Sequence, residues 1–193
     1  MMSAQAQIAY ITPEEYLALE REAEYKSEYF DGKIFAMSGA SPEHNQITVN
    51  VLAEIHMQIK KRPCQVYASN MRVKVSPTGL YTYPDVVALC DKPRFDDEQK
   101  DTLLNPTVII EVLSDSTANY DRGDKFKHYR TIDALVEYIL IAQDECHVEH
   151  YVRHANNQWL LSEINDLQEI IELPAFDCRL ALSDVYDKVE ISG

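Results

Sequence analysis

An α/β fold, a mixed β-sheet flanked by helices, is predicted by three features of the sequence. Helix-start signals alternate with short β-branched runs, two of those runs are apolar almost throughout, and turn residues separate them at short intervals. The elements follow in order. Thr12-Pro13-Glu14-Glu15 offers a capping hydroxyl, a first-turn proline and an N3 carboxylate, so a helix should run from about Pro13 into the Glu20 region. Asp31-Gly32, between Tyr29-Phe30 and Ile34-Phe35, suits a tight hairpin of two short strands. Ser41-Pro42-Glu43-His44 starts a second helix, in which Ile47, Val51, Leu52, Ile55 and Ile59 form one apolar face up to about Lys61. Strands are expected over 65–68 and 71–75, followed by a turn at Ser76-Pro77-Thr78-Gly79.

The runs 84–90 and 107–113 are the near-continuous apolar ones, which marks them as central strands covered on both faces. Between them, 91–101 is charged and broken by Pro93, as a surface connection would be. A polar loop over 114–121 leads into a helix over 122–130, whose first turn Gly123 weakens. A strand over 136–141 comes next. Then 147–153 and 159–164 flank Asn156-Asn157 as an added C-terminal edge hairpin, and a short helix over 180–189 closes the chain. No internal repeat or linker interrupts this order, so the expectation is one domain over 12–190 after a flexible segment, 1–11.

Composition narrows the function classes. The chain is 46% hydrophobic and 26% charged, with no apolar stretch near the ~20 residues that cross a bilayer. The first ten residues lack the basic start and apolar core of a secretion signal, so a cytoplasmic location is expected. Cys64, Cys90, Cys146 and Cys178 are far apart and form no C-x-x-C unit, which reads as buried free thiols rather than zinc ligands or disulfides. Eighteen basic against thirty-two acidic residues gives a formal charge of -14, which opposes non-specific adhesion to nucleic acid. Two segments run against that average: Lys60, Lys61, Arg62, Arg72 and Lys74, and Arg122, Lys125, Lys127 and Arg130. Together they would form a basic lip; apart, they are solvated faces.

Asp85 and Glu111 carry the chemistry, each beside or within an apolar run where an unpartnered charge would be costly. Two carboxylates, a backbone carbonyl and a substrate phosphate suffice for Mg2+ or Mn2+, hard cations that polarise a phosphoryl oxygen and activate water. Lys125 adds an ammonium to offset developing negative charge. The competing structural reading is a capping aspartate and an ordinary ion-paired glutamate.

An ordered series of motifs resembles the Uma2 family, whose members have a restriction-endonuclease-like PD-(D/E)xK fold. The matching stretches are Glu28-Tyr29-Phe30-Asp31-Gly32-Lys33-Ile34, Ser41-Pro42-Glu43-His44, Tyr83-Pro84-Asp85-Val86-Val87, the run from Pro106 to Ser114 around Glu111, and the run from Asp121 to Tyr129 around Lys125. The resemblance implies a metal-dependent nuclease core with Asp85 and Glu111 as metal ligands and DNA as partner. It also implies a third carboxylate role for Glu28, for which Glu24 and Glu54 are alternatives. The chain departs from the wider superfamily at Leu113, where the strand lysine would stand two residues after the glutamate. The family resemblance places that lysine at Lys125, on the following helix; Lys127 is about 200° away around an ideal helix and cannot share its task. Tyr129, on the same helical face, would brace the lysine or simply pack. His44 would touch phosphate or orient water, or be structural, and Trp159 is read as a packing residue. A homodimer would set two sites on opposite strands. The leading expectation is thus an Mg-dependent DNA endonuclease; the alternative is a non-catalytic nucleic-acid-binding or regulatory protein on the same scaffold.

Overall fold

The structure is a computed structural model in which residues 10–191 are described. Most of the segment expected to be flexible, 1–11, lies outside those residues; Ile11, its last member, hydrogen-bonds through its N–H to the Gly32 carbonyl at 3.2 Å.

Helix α1 (Pro13–Glu22) begins where the capping box required. The Thr12 N–H donates to Glu15 at 2.8 Å, and the Glu15 N–H donates to the Thr12 hydroxyl at 3.2 Å. Removing that hydroxyl in Thr12→Ala is expected to cost about 1 kcal/mol, read as a lower urea midpoint at unchanged slope. Strands β1 (Ser27–Phe30) and β2 (Lys33–Ala36) form the hairpin, with Asp31 and Gly32 both at positive φ (46° and 75°) in the turn. Helix α2 (Pro42–Ile59) is capped by the Ser41 hydroxyl, which accepts from the His44 N–H at 3.0 Å. Of its expected stripe, Ile47, Val51, Ile55 and Ile59 are buried and Leu52 is partly buried.

The remaining strands are β3 (Gln65–Ala68), β4 (Arg72–Val75), β5 (Leu80–Thr82), β6 (Val86–Leu89), β7 (Thr102–Leu103), β8 (Val108–Leu113), β9 (Glu137–Ala142), β10 (Val148–Arg153), β11 (Trp159–Ile164), β12 (Ile170–Leu173) and β13 (Cys178–Ala181). They make a five-stranded sheet, β2-β1-β5-β4-β7, a six-stranded sheet, β11-β10-β9-β8-β6-β3, and the hairpin β12-β13. The six-stranded sheet is mixed, with β8 and β9 parallel and its other neighbours antiparallel. The predicted α/β class is therefore the observed one, with β11 on the sheet edge as expected.

Period-two alternation divides the central strands between two cores. Val86, Ala88, Val108, Ile110 and Val112 face the α2 stripe. Val87, Leu89, Ile109 and Leu113 face the opposite way, onto Val73, Val75, Leu80, Tyr129 and Tyr138. Strands β6 and β8 are buried throughout, as their unbroken apolar character required.

Several expectations are corrected. Strands β5, β7, β12 and β13 are additional to those expected; β5 and β7 are only three and two residues long, too short to display a period. The loop and helix expected over 114–130 are instead α3 (Ala118–Tyr120), a π-helical turn (Asp121–Lys125) and α4 (Phe126–Tyr129). The closing helix is confined to α5 (Leu182–Val185) because residues up to Ala181 pair in β13. Cys64 and Cys90 form a disulfide, while Cys146 and Cys178 are free thiols. The reason is register: Gln65 pairs with Leu89, so the residues just outside that pair, Cys64 and Cys90, fall opposite one another. No helix among the described residues is long and apolar enough to cross a membrane.

Candidate active site

Strand register brings the two leading carboxylates together. In the antiparallel β6–β8 pair, Val86 lies opposite Ile110 and Val87 opposite Ile109, so the residue before β6, Asp85, falls opposite Glu111. Glu111 has the parity of Ile109, which turns it away from α2. The Asp85 N–H reaches Glu111 Oε2 at 3.3 Å, and Asp85 Oδ2 accepts from the Val112 N–H at 2.8 Å. Leu113, two residues past Glu111 on the same face, is 4% exposed and packs in the second core. A lysine there would have its stem in that core.

The ammonium comes from the π-helical turn instead. Lys125 Nζ lies 2.9 Å from Glu111 Oε1, 3.2 Å from Asp121 Oδ1 and 3.6 Å from Glu28 Oε1. Asp121 and Lys125, at the two ends of the turn, are both buried, whereas Arg122 and Asp124 between them are exposed. Such turns are rare and recur at functional sites. Tyr129, fully buried, donates to Glu111 Oε1 at 2.8 Å and so braces the glutamate rather than the lysine. Glu28 enters from β1, where its carboxylate accepts from the Thr82 hydroxyl of β5. From the other side, His44 Nε2 at the start of α2 lies 3.2 Å from Asp85 Oδ2.

The structure thus gathers Asp85, Glu111, Lys125 and Glu28, and adds His44 to them. Lys127 does not join: it is exposed and paired with Asp124 at 2.7 Å. Glu24 is also exposed, and Glu54 lies mid-way along α2. Sequence reading missed Thr82 and Asp121. For Asp121 a signal existed, since an aspartate four residues before a lysine is a favoured helical pair.

Burial sets the electrostatics. It pushes the Glu111 carboxyl up to about 8, although the adjacent Lys125 ammonium pulls the other way. Burial also opposes charge on Lys125, but Glu111, Tyr129, Glu28 and Asp121 outweigh it and hold that ammonium well above the ordinary lysine range. For His44, burial is outweighed by the Asp85 carboxylate and the Val112 backbone, which raise the imidazole above its usual value.

The donor set suits a hard divalent cation. Glu111, Asp121 and Glu28 surround a single buried ammonium, and Asp85 lies against Glu111. That excess of buried negative charge favours added positive charge. Among the described residues, no three His, Cys, Asp or Glu side chains converge as a metal-ligand group. A cation here would take Asp85 and Glu111 and keep several waters, a habit of Mg2+ rather than of structural zinc.

Several cations of the two basic segments are held in ion pairs. Arg72 lies 3.0 Å from Asp101, Lys74 2.8 Å from Asp96, and Arg122 2.5 Å from Glu149. Arg62 donates to the Phe176 carbonyl beside β13. Most of these cations are already neutralised, and the surface gains little for phosphate binding.

Residues 13–183 match the sequence profile of Uma2, described as "Putative restriction endonuclease". Two proteins of Synechocystis sp. (strain ATCC 27184 / PCC 6803 / Kazusa), both described as uncharacterized, are similar in sequence. Protein sll1609 is 40% identical over 154 residues, covering 80% of this chain and 87% of the relative. Protein slr1290 is 32% identical over 176 residues, covering 91% of each. A crystal structure from Anabaena variabilis ATCC 29413, described as "a putative nuclease belonging to DUF820", matches with a TM-score of 0.75 at 22% identity, over 91% of this chain and 97% of that one. The structural likeness establishes a shared fold, and the profile match across most of the sequence establishes that the chain belongs to the Uma2 family.

Proposed function

We propose that this protein is a divalent-metal-dependent nuclease that hydrolyses DNA phosphodiesters, with Asp85 and Glu111 as the cation ligands. The observation that carries the reading is the cross-strand opposition of these carboxylates with a buried ammonium 2.9 Å from the second. When bound, Mg2+ or Mn2+ would supply Lewis-acid polarisation of the phosphoryl oxygen and a more acidic water. The chain's own residues do the rest. The Val112 N–H and His44 both engage Asp85 Oδ2, which leaves the other oxygen for the cation. Tyr129 fixes Glu111 in the same way. Lys125 brings the positive charge that offsets negative charge developing on the phosphate, and Asp121 and Glu28 hold its ammonium in place. Glu28 therefore acts through Lys125, as a positioning residue.

The test is cleavage of linear, branched and single-stranded DNA at low salt, with Mg2+, Mn2+ or EDTA, by wild type, Asp85→Asn and Glu111→Gln. Cleavage should need the cation and disappear in both variants while each retains a cooperative thermal transition. Absence of wild-type cleavage together with absence of cation binding would leave the non-catalytic scaffold as the better reading.

A further inference from the structure

Beside the carboxylate cluster, and sharing Glu28 with it, lies a cleft of about 720 Å³. Three aromatic side chains line it: Phe30, Phe35 and Tyr120. Phe35 is 50% exposed and Tyr120 38% exposed, whereas Phe30 is partly buried and meets the His128 ring edge-on at 4.7 Å. Phe35 stands on β2, the outermost strand of its sheet, where all four residues are exposed. Phe35 on that uncovered edge strand adds nothing to the core, yet it and Tyr120, at the end of α3, line a cavity that shares Glu28 with the candidate site.

The polar lining says what such a cavity accepts. Its cations are poor anion hosts: Lys127 is paired with Asp124 at the rim, and burial holds the His128 imidazole below its ordinary value, so it is neutral near pH 7. Glu28 and Asp124 are acceptors only, while Thr78 and Thr117 offer hydroxyls. An occupant should therefore be flat and aromatic, without negative charge on the inserted ring, and with N–H groups for the carboxylates. A nucleobase has each of these properties, and in a continuous duplex its faces are hidden by stacking.

We propose that this cleft is a stacking subsite for an unpaired nucleobase, so that the substrate is single-stranded or locally opened nucleic acid. The proposal rests on the nuclease reading of the adjoining carboxylates. It would also let a protein of formal charge -14 hold nucleic acid, because base–aromatic stacking draws little on phosphate neutralisation.

The experiment is fluorescence anisotropy in EDTA with a labelled single strand, its perfect duplex, and the same duplex carrying one unpaired nucleotide. The single strand and the interrupted duplex should bind about tenfold more tightly than the perfect duplex. Phe35→Ala and Tyr120→Ala should each weaken single-strand binding about tenfold at unchanged melting temperature, whereas Lys127→Ala should change it less than twofold. The slope of log K against log salt should be shallower than about -1.4, the equivalent of two phosphates on a single strand. Equal affinity for all three DNAs, no binding at all, or a larger loss in Lys127→Ala than in the aromatic variants would overturn the subsite. Because EDTA removes the cation, the two readings fail separately. Preferential single-strand binding without cleavage in Mg2+ keeps the subsite and sinks the nuclease, while cleavage of a perfect duplex with no preference for unpaired DNA does the reverse.

Discussion

Replacing Lys125 with methionine is expected to lower the unfolding free energy by about 3–5 kcal/mol, the usual cost of leaving a buried ion cluster without one partner. Methionine keeps most of the apolar stem, so the loss reports charge more than volume. The side chain it replaces is only 8% exposed, and Glu111, Asp121 and Glu28 would be left facing one another without their cation. Glu111 limits the damage, because a carboxyl already pushed up to about 8 by burial can keep its proton. That gives the penalty a pH dependence whose sign is fixed. A folded-state pKa raised above the unfolded value contributes stability that is complete below the unfolded pKa, near 4.3, and is lost as pH rises through the folded one. In the variant the pull of Lys125 is gone and Glu111 shifts further up, so the penalty should widen above pH about 8. Urea unfolding at pH 6 and pH 9 measures both effects. Adding Glu111→Gln to Lys125→Met should recover part of the loss through a coupling term, and additive losses would refute a shared charge cluster. The same comparison separates stability from chemistry: Lys125→Met, assayed below its own melting temperature, should lose cleavage while remaining folded.

That cluster was only half legible in the sequence. The helix cap at Thr12, the Asp-Gly turn and the α2 stripe are local signals, each contained within one element, and they specified those elements closely. Apolar continuity marked β6 and β8 as central, and the chemistry of Asp85 and Glu111 suggested that they meet. What makes them meet is pairing register, which depends on two strands far apart in the chain and is invisible in either alone. The same blindness explains the cysteines: spacing spoke for free thiols, while the β3–β6 register sets Cys64 opposite Cys90. Asp121 falls at the end of the polar loop that the sequence predicts, with Gly123 weakening the first turn of the helix after it. A π-helical turn absorbs that glycine and still presents Asp121 and Lys125 inward. Thr82 went unseen because β5 has only three residues.

Affinity for Mg2+ is expected to rise about tenfold per pH unit between the His44 midpoint and pH about 8 and then level off, since a cation must displace the proton that burial keeps on Glu111. The direction follows from the donor set: the protonated carboxyl is a poor ligand, and its ionised form is disfavoured until a positive charge compensates it. Lys125, 2.9 Å away, holds its proton throughout this range and sets a constant background. His44 is the other titrating neighbour, 3.2 Å from Asp85 on the opposite side, and its imidazole is raised by that carboxylate. Protonated, it would compete with the cation for Asp85, so below its own midpoint a second proton should be released and the affinity should fall more steeply. Calorimetry in two buffers of different ionisation enthalpy counts those protons. His44→Gln should remove the steeper limb and leave the tenfold-per-unit limb intact, whereas Glu111→Gln should abolish measurable binding. Affinity independent of pH between 6 and 8 would mean that Glu111 is ionised without a cation, and that Lys125 alone compensates its burial.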